Sequence, residues 1–111
     1  MRAAPGGSSN EPLRPLTPFQ HAVAELVGGL SAGEVMTYAE VADEIGRPGS
    51  GQAVANVLRR VPGLPWWRVI PSTGRLYRTH APTQAPLLVA DGVTVDGDGW
   101  VHAAPMDSSP G

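Results

Sequence analysis

The sequence predicts one small α+β domain, and three observations point to it. Its 111 residues match the usual size of a single domain. Apolar residues recur at helical spacing through residues 17–61, whereas short apolar runs between Gly and Pro turns fill residues 64–101. The ends, MRAAPGGSSNEPLRPL and HAAPMDSSPG, are too rich in Pro, Gly and Ser to offset the entropy of ordering them. Residues 1–16 and 102–111 therefore read as disordered tails around a core over 17–101. A core of roughly 85 residues folds alone with modest stability.

Thr17-Pro18-Phe19-Gln20 opens the first helix, with Thr17 as N-cap, Pro18 at the first helical position and Gln20 completing a capping box. Phe19, Val23, Leu26, Val27 and Leu30 give it one apolar face, and Gly28-Gly29 weakens its end before Ser31-Ala32-Gly33 closes it. Thr37-Tyr38-Ala39-Glu40 repeats the capping box and starts a short helix that Gly46 stops. Arg47-Pro48-Gly49-Ser50-Gly51 is a turn. A third helix, Gln52 to Arg60, buries Val54, Val57, Leu58 and Val61, while Gln52, Asn56, Arg59 and Arg60 form one polar, basic stripe opposite. Two short helices with such a stripe on the second fit a helix-turn-helix facing DNA. A helical hairpin with a solvated outer face fits the same pattern.

After Pro62-Gly63, Leu64-Pro65-Trp66-Trp67-Arg68-Val69-Ile70 is apolar and aromatic and ends in a strand-like pair. Pro71-Ser72-Thr73-Gly74 is a turn, and Arg75-Leu76-Tyr77-Arg78 reads as the returning strand. Thr83-Gln84-Ala85-Pro86 opens a short helix through Ala90, stopped by Asp91-Gly92. Val93-Thr94-Val95 and Trp100-Val101 around Asp96-Gly97-Asp98-Gly99 predict a terminal β-hairpin.

The net charge of −2 hides a segregated pattern. All eight basic residues are Arg, and six of them (Arg47, Arg59, Arg60, Arg68, Arg75 and Arg78) fall within residues 45–78, which hold no acid. Both flanks are net acidic. A basic middle can form a local anion-binding face, and Arg suits bidentate phosphate contacts; ordinary solvated arginines would give the same pattern. With no Cys, disulfides, thiolate catalysis and Cys-ligated zinc are excluded for this chain. No apolar run approaches the ~20 residues of a membrane span, and the start lacks a signal peptide's apolar segment, so a cytoplasmic protein is expected.

Five motifs occur in order: Thr17-Pro18-Phe19-Gln20; Gly33-Glu34-Val35-Met36-Thr37-Tyr38-Ala39-Glu40-Val41-Ala42; Ala53-Val54; Pro65-Trp66-Trp67-Arg68-Val69-Ile70 with Ser72-Thr73-Gly74; and Leu87-Leu88 with Asp91-Gly92. Their order and spacing resemble the DNA-binding domain of O6-alkylguanine-DNA alkyltransferases. In those enzymes a Pro-Cys-His-Arg-Val loop carries the thiolate that accepts the alkyl group. Here Trp66 and Trp67 take the Cys and His positions, which is similar to the alkyltransferase-like proteins. An indole is neither nucleophile nor base, so no catalytic residue is expected.

The resemblance implies a mainly α (α+β) fold, a helix-turn-helix or winged-helix-like domain with a small β-hairpin wing. It implies a non-enzymatic sensor of O6-alkylguanine in double-stranded DNA that flips the base and hands the lesion to nucleotide excision repair proteins. The protein would act as a monomer, without metal, cofactor or membrane, cytoplasmic and nucleoid-associated when bound. Tyr38 takes the place of the Tyr that pushes on the 3′ phosphate of the target nucleotide. Gln52, followed by Ala53, stands where the family has an Arg finger, and Asn56, Arg59 and Arg60 complete the DNA-facing stripe. The base pocket is expected from Trp66, Trp67, Arg68, Val69, Ser72, Thr73 and Gly74. Among these, Trp66 contacts the flipped base, Trp67 packs and Arg68 braces the loop. Two positions depart from the family: Gln52 lacks the cation, and Val61-Pro62-Gly63-Leu64 replaces a longer loop whose Asn helps position the pocket.

Two other readings fit the residues. One is a small winged-helix regulator that reads intact duplex through Gln52, Asn56, Arg59 and Arg60. The other is a domain that has left DNA and uses exposed tryptophans for protein contacts, which Gln52 favours.

Overall fold

A computed structural model describes residues 15–102. Of the expected tails, 1–16 and 102–111, all but residues 15, 16 and 102 lie outside the described residues. The chain forms α1 (Pro18–Gly28), β1 (Met36–Thr37), α2 (Tyr38–Glu44), α3 (Gly51–Arg60), a single 3-10 turn (Trp66–Arg68), β2 (Val69–Ile70), α4 (Ala81–Ala90), β3 (Thr94–Val95) and β4 (Val101–His102). The last strand includes His102, one residue past the expected core boundary.

Both predicted capping boxes form. Thr17 Oγ1 accepts from the Gln20 N–H at 3.1 Å while Gln20 Oε1 accepts from the Thr17 N–H at 3.0 Å. Thr37 and Glu40 repeat the exchange at 3.0 and 2.8 Å. Each reciprocal pair satisfies two backbone donors that the helix start would leave open. Fully buried Val23 and Val27 carry the apolar face of α1 inward. Helix α3 packs on both α1 and α2, burying Val54, Val57 and Leu58 and leaving Gln52, Arg59 and Arg60 exposed. Gly51 opens α3 against Tyr38: a Cβ there would lie 3.4 Å from the Tyr38 Cβ, so the two helices of the helix-turn-helix meet closely at this point.

The strand after Trp67 has a different partner from the one the sequence suggested. Val69–Ile70 pairs in parallel with Met36–Thr37 rather than with residues 75–78. Arg75 makes only an isolated antiparallel bridge to Trp100, because Leu76 turns into the core and residues 77–80 form the turn that leads into α4. The wing hairpin forms as predicted, with Thr94 opposite His102 and Val95 opposite Val101.

Helix α4 starts at Ala81, two residues before the expected Thr83, with Pro82 in its first turn and Pro86 inside it. Gln84, expected at the helix start, is 1% exposed, and its Nε2 donates to the carbonyls of Trp67 and Val69, both at 3.1 Å. One amide thus ties α4 to the aromatic loop.

The core has two parts. The larger joins α1, α2 and α3 around Val23, Val27, Val41, Val54, Val57 and Val69; the smaller joins Ile70, Leu76, Leu88 and Val93. The adjacent pair Val69 and Ile70 faces opposite ways, as strand residues do, one into each part. The two tryptophans divide the same way, with Trp66 against the larger part and Trp67 against the smaller.

Candidate nucleic-acid interface

The sequence of the aromatic loop explains how it is held. Pro65 leads into one 3-10 turn, in which the Arg68 N–H donates to the Pro65 carbonyl at 3.0 Å. Arg68 then fixes the loop from behind. Its Nε and a terminal nitrogen donate to the two Asp91 oxygens at 2.7 and 3.0 Å, and Nη1 donates to the Leu30 carbonyl at 2.9 Å. Trp67 Nε1 donates to the same carboxylate at 3.0 Å, and the guanidinium lies 5.2 Å from the Trp67 ring centre. The Arg68 guanidinium, with the Trp67 indole, holds the Asp91 carboxyl below its ordinary value, against the opposing effect of burial. Asp91 is therefore a structural anion. It receives donors on both oxygens and has no base to orient.

Trp66 points the other way. It lines a pocket of about 380 Å³ with Tyr38, Ala55, Leu58, Arg59, Thr79, His80 and Thr83. Its ring meets Trp67 and His80 edge-on, each at 6.2 Å between centroids. Edge-on packing of this kind helps fix the indole plane at the pocket wall.

Tyr38, the first residue of α2, borders the same pocket. It is mostly buried and stacks on Tyr77 at 6.2 Å with 23° between the rings. Burial, and next the neighbouring Tyr77 hydroxyl, push its hydroxyl above the ordinary value of 10.0, with Arg59 pulling the other way. The phenol stays neutral and keeps its donor. Arg59 at the rim donates to the Asn56 amide oxygen, one turn back on α3.

A wider groove of about 1070 Å³ adjoins the pocket and shares Tyr38 and Ala55 with it. Gln52, Ser72, Thr73, Arg75, Tyr77 and Arg78 line it, with the wing residues Asp96 to Gly99 along one side.

Of the seven residues expected in the base pocket, the pocket itself contains only Trp66. Trp67 and Arg68 are committed to Asp91, behind the loop. Val69 is fully buried in the larger core because β2 pairs with β1. Ser72 and Thr73 line the adjoining groove. Gly74, at a φ of 89°, closes the turn that hands the chain to the wing, its carbonyl accepting from the Val101 N–H at 2.9 Å. Of the residues expected to face DNA, Tyr38 and Arg59 border the pocket, Gln52 lies in the groove, Arg60 is exposed on α3, and Ala53 and Asn56 are half-buried beside them.

Sequence reasoning missed Tyr77, Thr79, His80 and Thr83. Reading residues 75–78 as a strand placed Tyr77 in a sheet and His80 in a loop. Pro82 was the available clue, since a proline in the first turn of a helix sets its start near Ala81. That start brings His80 back against Trp66.

The family model for the 6-O-methylguanine DNA methyltransferase DNA-binding domain matches residues 18–93. A DNA base-flipping protein of Escherichia coli (strain K12) is 35% identical over 88 residues, which cover 75% of this chain and 68% of that protein. Among solved structures, S. pombe Atl1 in complex with damaged DNA containing O6-carboxymethylguanine superposes with a TM-score of 0.67 at 27% identity, over 75% of this chain and 83% of that one. Mycobacterium tuberculosis OGT in complex with DNA gives a TM-score of 0.60 at 28% identity, over 78% of this chain and 53% of that one.

Proposed function

The chain belongs to the 6-O-methylguanine DNA methyltransferase family by its DNA-binding domain, and from that premise we propose that it senses damaged DNA without repairing it. It binds duplex DNA containing O6-alkylguanine, turns the altered base out of the stack into the pocket beside Trp66, and presents the complex to nucleotide excision repair proteins. It acts as a monomer in the cytoplasm, on nucleoid DNA.

One observation carries this reading. In the pocket bordered by Tyr38, the loop position where related enzymes place their acceptor Cys holds Trp66. Removing a base from the stack costs a few kcal/mol, and stacking on an aromatic side chain returns roughly 1–3 kcal/mol. The pocket offers that surface and no thiol. Behind it, Trp67 occupies the place of a general base and donates a hydrogen bond to Asp91. A loop built this way holds a base and leaves it unchanged. The similarity to an E. coli DNA base-flipping protein and to S. pombe Atl1 bound to damaged DNA supports the same reading.

The test is a fluorescence-anisotropy titration of two duplexes, identical except for one O6-methylguanine, at two salt concentrations. Tighter binding to the modified duplex is expected. Equal, salt-sensitive binding would instead identify a sequence-reading or generic helix-turn-helix, and absence of binding would mark a domain that uses its surface for protein contacts.

A further inference from the structure

Building on the sensor reading, we infer that His80 tells an O6-alkylated guanine from guanine by donating a hydrogen bond from Nε2 to N1 of the flipped base. The residue sits just before α4 on the wall of the pocket. Two aromatic neighbours hold its ring, Trp66 edge-on at 6.2 Å and Tyr77 edge-on at 5.6 Å. Its Nδ1 is buried and has no hydrogen-bond partner.

That orphaned nitrogen sets the sense of the other. A buried N–H without an acceptor is rarer in proteins than a buried lone pair without a donor. With Nδ1 left as an unpaired acceptor, the ring carries a proton on Nε2, which becomes the donor that it offers a ligand. The remaining polar groups of the pocket are less selective. Thr79, Thr83 and Tyr38 hydroxyls donate or accept by rotation, and Arg59 is engaged with Asn56. The Trp66 face accepts any base. Arg59, a donor at every nitrogen, lies exposed at the rim, so among the ring and hydroxyl groups of the wall His80 is the one whose hydrogen-bonding sense is set by burial.

The lesion chemistry matches that sense. Guanine carries a hydrogen on N1, whereas alkylation at O6 removes it and leaves a lone pair there. A donor facing N1 pairs with the alkylated base and meets guanine donor to donor. With the base seated against the wall, a donor left facing a donor is costly, which is how a single hydrogen-bonding site rejects a close analogue.

The experiment titrates wild type, His80→Phe and His80→Gln against three duplexes that differ at one base: O6-methylguanine, 2-aminopurine and guanine. 2-Aminopurine has the N1 lone pair without the O6 substituent. Wild type is expected to prefer the first two over guanine. His80→Phe is expected to lose about fivefold of both preferences. His80→Gln, whose amide still donates, should keep most of the preference. A selective wild type whose preference survives in His80→Phe, or does not extend to 2-aminopurine, overturns the assignment and leaves the sensor reading standing. A wild type that binds all three duplexes alike overturns both. Should His80→Phe fail to fold, nitrogen NMR of the wild-type imidazole decides. The expected result is an Nε2–H tautomer whose resonances move when the O6-methylguanine duplex is added; an Nδ1–H tautomer or unmoved resonances overturn the assignment.

Discussion

At the scale of single residues, two adjacent tryptophans have opposite duties. Trp67 gives its N–H to Asp91 and packs in the smaller core, while Trp66 shows a face to the pocket. Truncating them should therefore have different readouts. Trp66→Ala removes the stacking surface and should reduce preference for an O6-methylguanine duplex by about tenfold, with a smaller loss on unmodified duplex. Equal losses on both duplexes in an anisotropy titration would refute the pocket role. Gln52 poses the converse case. It lies in the groove beside the pocket, short and uncharged. Gln52→Arg should tighten binding to both duplexes and steepen the salt dependence by about one unit of slope. An unchanged slope would mean that this position does not enter the duplex.

At the scale of elements, what the sequence made legible was local. Capping boxes, the helix-period runs of α1 and α3, and the glycine-bounded wing each depend on residues within a few positions of one another, and all formed. What it hid was long-range. The parallel pairing of Val69–Ile70 with Met36–Thr37 joins residues more than thirty apart, and no local pattern announces a partner at that distance. Gln84 was hidden for the same reason: its chemistry suits a helix start, yet it serves two carbonyls on the aromatic loop. Gln84→Leu leaves both carbonyls unpaired and should destabilise the domain by about 2 kcal/mol, a drop in melting temperature of roughly 10 °C. Asp91 joins the loop to the end of α4 and has a pH signature. Its value is depressed on folding, so its contribution is complete above the ordinary 3.8 and is lost as pH falls below that value through the depressed one. Asp91→Asn should cost about 2 kcal/mol near neutral pH and flatten the acid limb of a thermal-melt series; an unaltered acid limb would show that another carboxylate governs it.

At the scale of the whole molecule, charge distribution sets how a protein of net charge −2 holds a polyanion. The basic segment of the sequence does not act as one block once folded. Arg68 is consumed by Asp91 and Leu30, and Arg47 lies over the Phe19 ring. Arg47, like Arg59, Arg60, Arg75 and Arg78, is exposed. Arg75 lies beside Trp100 with its Nε donating to the Asp98 carbonyl, which positions a cation along the groove at the base of the wing. The five exposed arginines of the described residues can together neutralise up to five phosphates, so their share of the slope of log affinity against log salt should be no steeper than about −4.5. A single deletion then separates holding from reading. Arg60 is exposed and does not line the pocket, so Arg60→Ala should weaken modified and unmodified duplexes by the same factor. The slope should fall by about one, and the preference for the lesion should be untouched. A change in that preference would place Arg60 at the base rather than on the backbone, and would move the reading surface from the pocket to the outer stripe of α3.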